Sequence, residues 1–244
     1  MKRATVIIPT TGSETLIQAI ESVLSQTYEY VQAYVVIDGI EYDQKVRSLL
    51  SSIEVPKNKS LVCMTVPENV GVDGYYGHRI YAAVTHLINS DYVLYLDQDC
   101  WFDTNHIESL VDTIESNNSN WAYSLRKIVD KDGEYICNDD CESLGKWRPL
   151  TNYNHIDTNC YCLRTDVAIK VSQVFHGKWG QDRVFFQALN QYFQKYDCSG
   201  LYTVNYRLEG NEGSVTSEFF IAGNERVKQT LKYLPWSKDG KSDI

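Results

Sequence analysis

Basic residues are scarce in this 244-residue chain: 23 Lys and Arg stand against 32 Asp and Glu, a formal net charge of −9. Most nucleic-acid affinity comes from basic side chains that displace counterions from phosphates, so duplex binding is not the expected task. Long apolar runs are missing too, and nothing approaches the roughly 18 residues of a membrane span. The apolar stretch after Met1-Lys2-Arg3 breaks at Pro9 and Thr10-Thr11, short of a secretory core, so the expected address is cytoplasmic. Proline (5) and glycine (14) are few while hydrophobic residues reach 43%, which excludes a disordered or collagen-like chain. The cysteine count is seven, an odd number that fits reduced thiols better than a disulfide framework. Cys137, Cys141, Cys160 and Cys162 lack the spacing of paired zinc knuckles.

What is present is an alternation of two periods. Short β-branched runs at 4–9, 34–37, 61–66 and 92–96 read as buried strands. Between them Leu16, Ile17, Ile20, Val23 and Leu24 recur at helical spacing, as do Val46, Leu49, Leu50 and Ile53, then Ile80, Ala83, Val84, Leu87 and Ile88. Thr11 and Glu14 are spaced as a capping box for the first helix. This order implies an α/β fold with a mostly parallel central sheet flanked by helices, a Rossmann-like nucleotide-binding half whose ligands bind beyond the carboxyl ends of the strands. The second half reads as a helix over 107–114, a hairpin of 121–129 with 134–137, a turn-rich loop or lid over 138–154, a strand at 160–163, a helix over 181–196, a strand at 201–207 and a closing helix over 217–234. One domain is expected over 1–235, divided into a nucleotide-binding half (1–100), an acceptor half (101–215) and the closing helix (216–235), followed by a frayed polar tail (236–244).

The sharpest local feature is Leu96-Asp97-Gln98-Asp99-Cys100 after the fourth apolar run. In an extended segment Asp97 and Asp99 point to the same side. Two converging carboxylates suit Mg²⁺ or Mn²⁺, with phosphate oxygens and water completing the shell. The competing interpretation is a solvated turn ahead of the next helix.

Val6-Ile7-Ile8-Pro9-Thr10-Thr11-Gly12, Ser22-Val23-Leu24-Ser25-Gln26-Thr27-Tyr28, Asp38-Gly39, Asn69-Val70-Gly71 and the Asp97/Asp99 pair appear in an order that resembles the inverting family 2 glycosyltransferases with the GT-A fold, over roughly residues 4–190. The resemblance implies that Pro9, Thr10, Thr11, Glu14 and Asp38 hold the nucleotide base and ribose, and that Arg79 approaches the nucleotide or its phosphates. It also implies that Asp99 is the direct metal ligand and that Asp97, with Gln98 beside it, contacts ribose or donor sugar as well as the metal. The family places the base that deprotonates the acceptor hydroxyl near the start of a later helix, usually as Glu-Asp. Here Trp179-Gly180-Gln181-Asp182-Arg183 stands there, which makes Asp182 the base and puts Gln181 in place of the usual Glu. A helix-terminal Asp favoured by the dipole is the structural alternative.

The implied reaction moves a sugar from a UDP-sugar to an acceptor hydroxyl, with Mn²⁺ or Mg²⁺ as cofactor. The C-terminal His that family members often use is missing, since no histidine follows His176, and Asn211 is the candidate substitute. His155 and Asp157 alternate onto one side ahead of an apolar strand, as sugar-pocket residues or as a structural pair. Trp101 and Trp179, with Arg183, are further candidates for the sugar or acceptor pocket, and Trp147 is weighed with them as an aromatic face or a core residue. Two other functions compete. A sugar-phosphate nucleotidylyltransferase needs a Gly-rich basic loop, whereas Thr10-Thr11-Gly12-Ser13-Glu14 has one Gly and no Lys or Arg. A catalytically silent nucleotide- or glycan-binding module is the other, prompted by Gln181.

Overall fold

The computed structural model describes residues 2–150, 154–208 and 215–238. Asn211 therefore lies outside the described residues, as do 239–244 of the expected tail. Strands β1 (Ala4–Thr10), β2 (Val31–Asp38), β3 (Lys59–Val66) and β4 (Tyr92–Tyr95) alternate with helices α1 (Leu16–Leu24), α2 (Asp43–Leu50) and α3 (His78–Val84). The later elements are β5 (Trp101–Phe102), α4 (His106–Asn117), β6 (Trp121–Val129), β7 (Tyr135–Asn138), β8 (Tyr161–Arg164), α5 (Thr165–Val171), α6 (Gln181–Tyr192), β9 (Tyr196–Arg207) and α7 (Ser217–Thr230).

All nine strands form one sheet in the order β3-β2-β1-β4-β8-β6-β9-β5, with β7 paired to β6. The first four are parallel, as their βα alternation requires. From β4 onward the sheet turns mixed: β8 runs antiparallel to β4 and to β6, and β9 lies parallel to β6. That change follows from the connections, because β8 returns beside β4 after the β6–β7 hairpin rather than through a single crossover helix. The carboxyl ends of β1, β2 and β4 thereby open toward the second half, the end at which open parallel sheets bind ligands.

Two cores hold the molecule. The larger packs α1, α3 and α4 against β1, β2, β4 and β8 through Ile7, Ile20, Val23, Val35, Leu94, Leu110 and Leu163. The smaller gathers Leu125, Ile128, Leu144, Leu208, Phe220, Val227 and Trp236. Trp236 is 2% exposed and donates its indole N–H to Asp140 at 2.8 Å, so the chain stays docked beyond Pro235 instead of fraying there.

Other expectations also change. No Thr11–Glu14 capping box forms: the α1 N-cap is Thr15, and Ser13 Oγ accepts the Thr15 N–H. The helix read to residue 196 ends at Tyr192, and β9 begins five residues earlier than expected. Tyr196 pairs with Trp121, and their rings stack at 4.1 Å, a non-local gain that no local period encodes. The turn formers at 138–150 include a buried plug, because Asp139, Cys141, Ser143 and Leu144 pack inward. All seven cysteines are free.

His106 gives the fold a pH dependence. Its ring is wholly buried, stacks on Phe102 at 3.8 Å and binds Thr203 Oγ1 through Nδ1, while Nε2 has no partner. Burial pushes its pKa from 6.5 down to about 3. The unfolded chain therefore takes up this proton first, so the contribution is intact above pH 6.5 and declines as the pH falls toward 3. His106→Gln is expected to flatten the fall in urea stability between pH 6.5 and 4 by about 1.4 kcal/mol per pH unit. Parallel slopes for the two proteins would refute this.

Candidate active site

The acidic pair sits just beyond β4, but its convergence does not come from strand alternation. β4 ends at Tyr95, and residues 97–100 form a turn closed by the Cys100 N–H on the Asp97 carbonyl at 3.2 Å. The turn brings ligand atoms of Asp97, Asp99 and Cys100 within 4.8 Å of one another. Burial, then the charges of Asp99 and Asp157, push the Asp97 carboxyl up to about 7. Burial likewise raises Asp99, and the Arg207 guanidinium pulls it back. Burial beside these carboxylates holds the Cys100 thiol well above its usual range, and Cys100 donates to Asp99 Oδ1 instead of offering a thiolate. The available donor set is thus two hard oxygens, which suits Mg²⁺ or Mn²⁺ better than a thiophilic ion.

Three side chains fix Asp97 and Asp99. Tyr81, buried on α3, donates its hydroxyl to Asp97 Oδ1 at 2.8 Å. Asn159 accepts the Asp97 N–H at 2.6 Å and donates to Asp97 Oδ2 at 3.0 Å. Arg207, at the end of β9, lies over the Trp101 ring, donates Nε to the Asp99 carbonyl at 3.1 Å, and ties Gln18 and the Lys131 carbonyl to the same corner. No sequence pattern marks Tyr81, Asn159 or Arg207. Tyr81 hides between the apolar positions of α3, while Asn159 and Arg207 reach the pair only through sheet pairing.

Gln98 faces the β1 loop. Its carbonyl accepts from Thr10 Oγ1 (2.6 Å), the Thr11 N–H (3.2 Å) and the Ser13 N–H (3.3 Å), so it binds the protein's own loop. Gln98→Ala strips three donors of one acceptor and is expected to lower stability by about 1–2 kcal/mol in urea unfolding. An unchanged midpoint would show that the loop holds itself. Pro9 supports the start of α3, where a Cβ on Gly77 would come 2.8 Å from its ring, and Glu14 is exposed.

Asp38, 4% exposed at the end of β2, accepts the Val70 N–H at 2.7 Å and the Gly71 N–H at 2.9 Å. Burial raises its pKa and these two donors lower it. Gly71 is required there, since a Cβ would meet the Tyr76 carbonyl at 2.4 Å. Arg79 turns onto its own loop: its guanidinium lies 3.3 Å from the Tyr75 ring centroid and donates to the Val70 carbonyl at 3.4 Å.

Asp182 stands in the first turn of α6, behind Gly180 in the left-handed conformation (φ 81°). Its Oδ1 accepts the Arg183 N–H at 2.8 Å, and its Oδ2 lies 3.5 Å from Nε2 of the buried His155. His78 bonds the Gly177 carbonyl through Nδ1; burial lowers its pKa, and that bond with the Asp182 charge works against the shift. Gln181 points away and donates its amide to the Val174 carbonyl. An ionised Glu could not make that bond, so packing accounts for the Gln. Trp179 is 71% exposed with Arg183 over its ring, and Trp101 forms β5.

His155 and Asp157 do not act together. Asp157 Oδ2 accepts from buried Arg126 at 2.6 Å, and its Oδ1 accepts from Asn159, which makes it an internal strut rather than a pocket wall. The segment 155–159 therefore faces Asp182 at one end and grips Asp97 at the other, a span of at most about 14 Å. An open depression of about 510 Å³ bounded by Arg3, Tyr30, Asn89 and Asp91 lies at the amino ends of the strands, opposite these residues.

A parallel half-sheet continued into a mixed second half, with carboxylates just beyond β4, is the GT-A architecture. Solved structures agree on the fold: S. aureus TarS 1–349 is 17% identical with a TM-score of 0.61, covering 84% of this chain and 60% of that one. The same protein in complex with UDP-GlcNAc is 15% identical with a TM-score of 0.62, covering 92% and 65%. This chain thus spans less than two thirds of those structures. The sequence model of glycosyl transferase family 2 matches residues 5–170, and the chain belongs to that family. An uncharacterised Haemophilus influenzae protein is 40% identical over 58 residues, 24% of this chain and 39% of that protein. Among the described residues no helix is long and apolar enough to cross a membrane.

Proposed function

We propose that the chain is a metal-dependent inverting glycosyltransferase that moves a sugar from a UDP-sugar to an acceptor hydroxyl. The observation that carries this reading is the 155–159 segment, which holds Asp97 through Asn159 at one end and meets the helix-terminal Asp182 through His155 at the other. Asp182 takes the acceptor proton as the acceptor oxygen attacks the anomeric carbon. The bond from that carbon to the diphosphate breaks on the opposite face, which inverts the centre.

Asp99 and Asp97 would hold Mn²⁺ or Mg²⁺, and the chemistry supplied there is charge neutralisation on the departing diphosphate. The fit rests on two half-buried carboxylates that bring hard oxygen ligands within 4.8 Å of each other just beyond β4. Pro9, Thr10 and Thr11 line the base side, where Gln98 keeps the loop in shape. Asp38 acts through the 70–71 backbone it holds, and Arg79 reaches a phosphate only by leaving Tyr75. Trp179, Arg183 and Trp101 rim the acceptor side.

UDP-GlcNAc is the first donor to test, because the TarS complex carries it. Purified protein with Mn²⁺ should give a thermal shift with UDP and release UDP from at least one member of a nucleotide-sugar panel. No shift with any donor would favour a silent module.

A further inference from the structure

We infer that Asn159 is the positioning residue of the donor site, a side chain that aims Asp97 without touching substrate; this rests on the UDP–metal reading of the Asp97/Asp99 pair. The β4–β8 ladder places it. Tyr92, Val93 and Leu94 face Arg164, Leu163 and Cys162, and three more steps in the same register set Asn159 across from Asp97. The ladder has ended by then, so one amide side chain takes over the pairing.

Its Oδ1 accepts the Asp97 backbone N–H at 2.6 Å, and its Nδ2 donates to Asp97 Oδ2 at 3.0 Å. A single planar group thus fixes both the main chain and the carboxylate rotation of Asp97. Tyr81 fixes the other oxygen. Each oxygen accepts one of these bonds and keeps a second lone pair, as a hydroxyl or a cation would require.

The clamp is itself held. Asn159 is fully buried, its N–H and Nδ2 both donate to Asp157 Oδ1, and Asp157 Oδ2 is taken by Arg126 Nη1 at 2.6 Å. Arg126 is 3% exposed, pairs also with Asp139 at 2.8 Å, and lies over the Tyr206 ring. This chain of charge-assisted bonds leaves Asn159 no freedom to rotate. Serine could not span the two groups. Aspartate would keep the acceptor for the Asp97 N–H and lose the donor.

The test is a thermodynamic cycle read by calorimetry with UDP, with and without Mn²⁺. Asn159→Ala is expected to weaken Mn²⁺-dependent UDP binding on the order of 10- to 100-fold, the usual loss when a group supporting a metal ligand is removed. In an Asp97→Asn background, where there is no carboxylate to aim, the same substitution should change affinity by less than about twofold. Equal losses in the two backgrounds, or wild-type affinity in Asn159→Ala, would overturn the assignment. Should the alanine variant not fold, the isosteric Asn159→Asp must show the same loss, and wild-type affinity there refutes the role just as firmly. Asp99→Ala separates the two ideas. If it binds UDP as well as wild type in Mn²⁺, the donor-site reading and the clamp fall together; if it is dead while Asn159→Ala is intact, the clamp alone falls.

Discussion

Asp182→Asn is expected to lower kcat by about 10³-fold, within the range for loss of a general base, while the Mn²⁺-dependent affinity for UDP changes little. The substitution isolates proton transfer from architecture. Asp182 also accepts the Arg183 N–H at 2.8 Å within the first turn of α6, and an Asn Oδ1 of the same shape accepts that bond equally well. The N-terminal dipole loses one favourable charge, a cost of about 0.3–1 kcal/mol, so the thermal midpoint should move by only a few degrees. His155 remains in place beside the residue. What disappears is the lone pair able to accept a proton from an attacking hydroxyl. Release of UDP from the donor in the presence of acceptor, followed in single-turnover mode, measures the loss. Turnover at the wild-type rate would leave Asp182 a helix-terminal acid favoured by the dipole and nothing more.

Asp99→Ala is expected to abolish the enhancement of UDP affinity by Mn²⁺, a loss of at least about 100-fold, since removing a direct ligand exceeds the cost of removing a group behind it. The fold should not suffer. Burial raises the Asp99 pKa, which means that the folded protein disfavours the ionised carboxylate. The alanine removes that penalty and relieves Asp97 of a like charge. Arg207 stays anchored, because its bond is to the Asp99 backbone carbonyl, which the variant keeps. The metal-free variant is therefore expected to be at least as stable as wild type at pH 8. Calorimetry with UDP, with and without Mn²⁺, decides the matter, and an affinity that responds to Mn²⁺ as in the wild type would remove the ligand role.

The α/β alternation was legible in the first hundred residues because buried parallel strands and amphipathic helices write different periods into the chain. β1 to β4 stand where their β-branched runs predict. The pieces missed or misjudged lie where tertiary contacts override local signals. β5 is two residues long and is recruited by β9, and Tyr196 leaves the expected helix to pair with Trp121. Trp236, in a polar stretch, is drawn inward by Asp140 and the small core.

The site divides in the same way. The types of its acids, their order and their place after strands and before helices are properties of the sequence, and so is the family they indicate. Their working geometry is not. Asp97 and Asp99 converge because a turn closes on the Asp97 carbonyl, whereas alternation in an extended strand would have required β4 to continue. Gln98, Asp38 and Asp157, each plausible as a ligand from its position, spend their hydrogen bonds on the protein itself. Asn159, Tyr81 and Arg207 enter through residue pairs 62, 16 and 108 positions apart. A sequence of residues specifies which chemistry is available and roughly where each strand ends. Which carboxylate stays free to bind and which is consumed as a strut depends on long-range partners, and hydrogen-bond satisfaction in a buried site is settled only when distant segments meet.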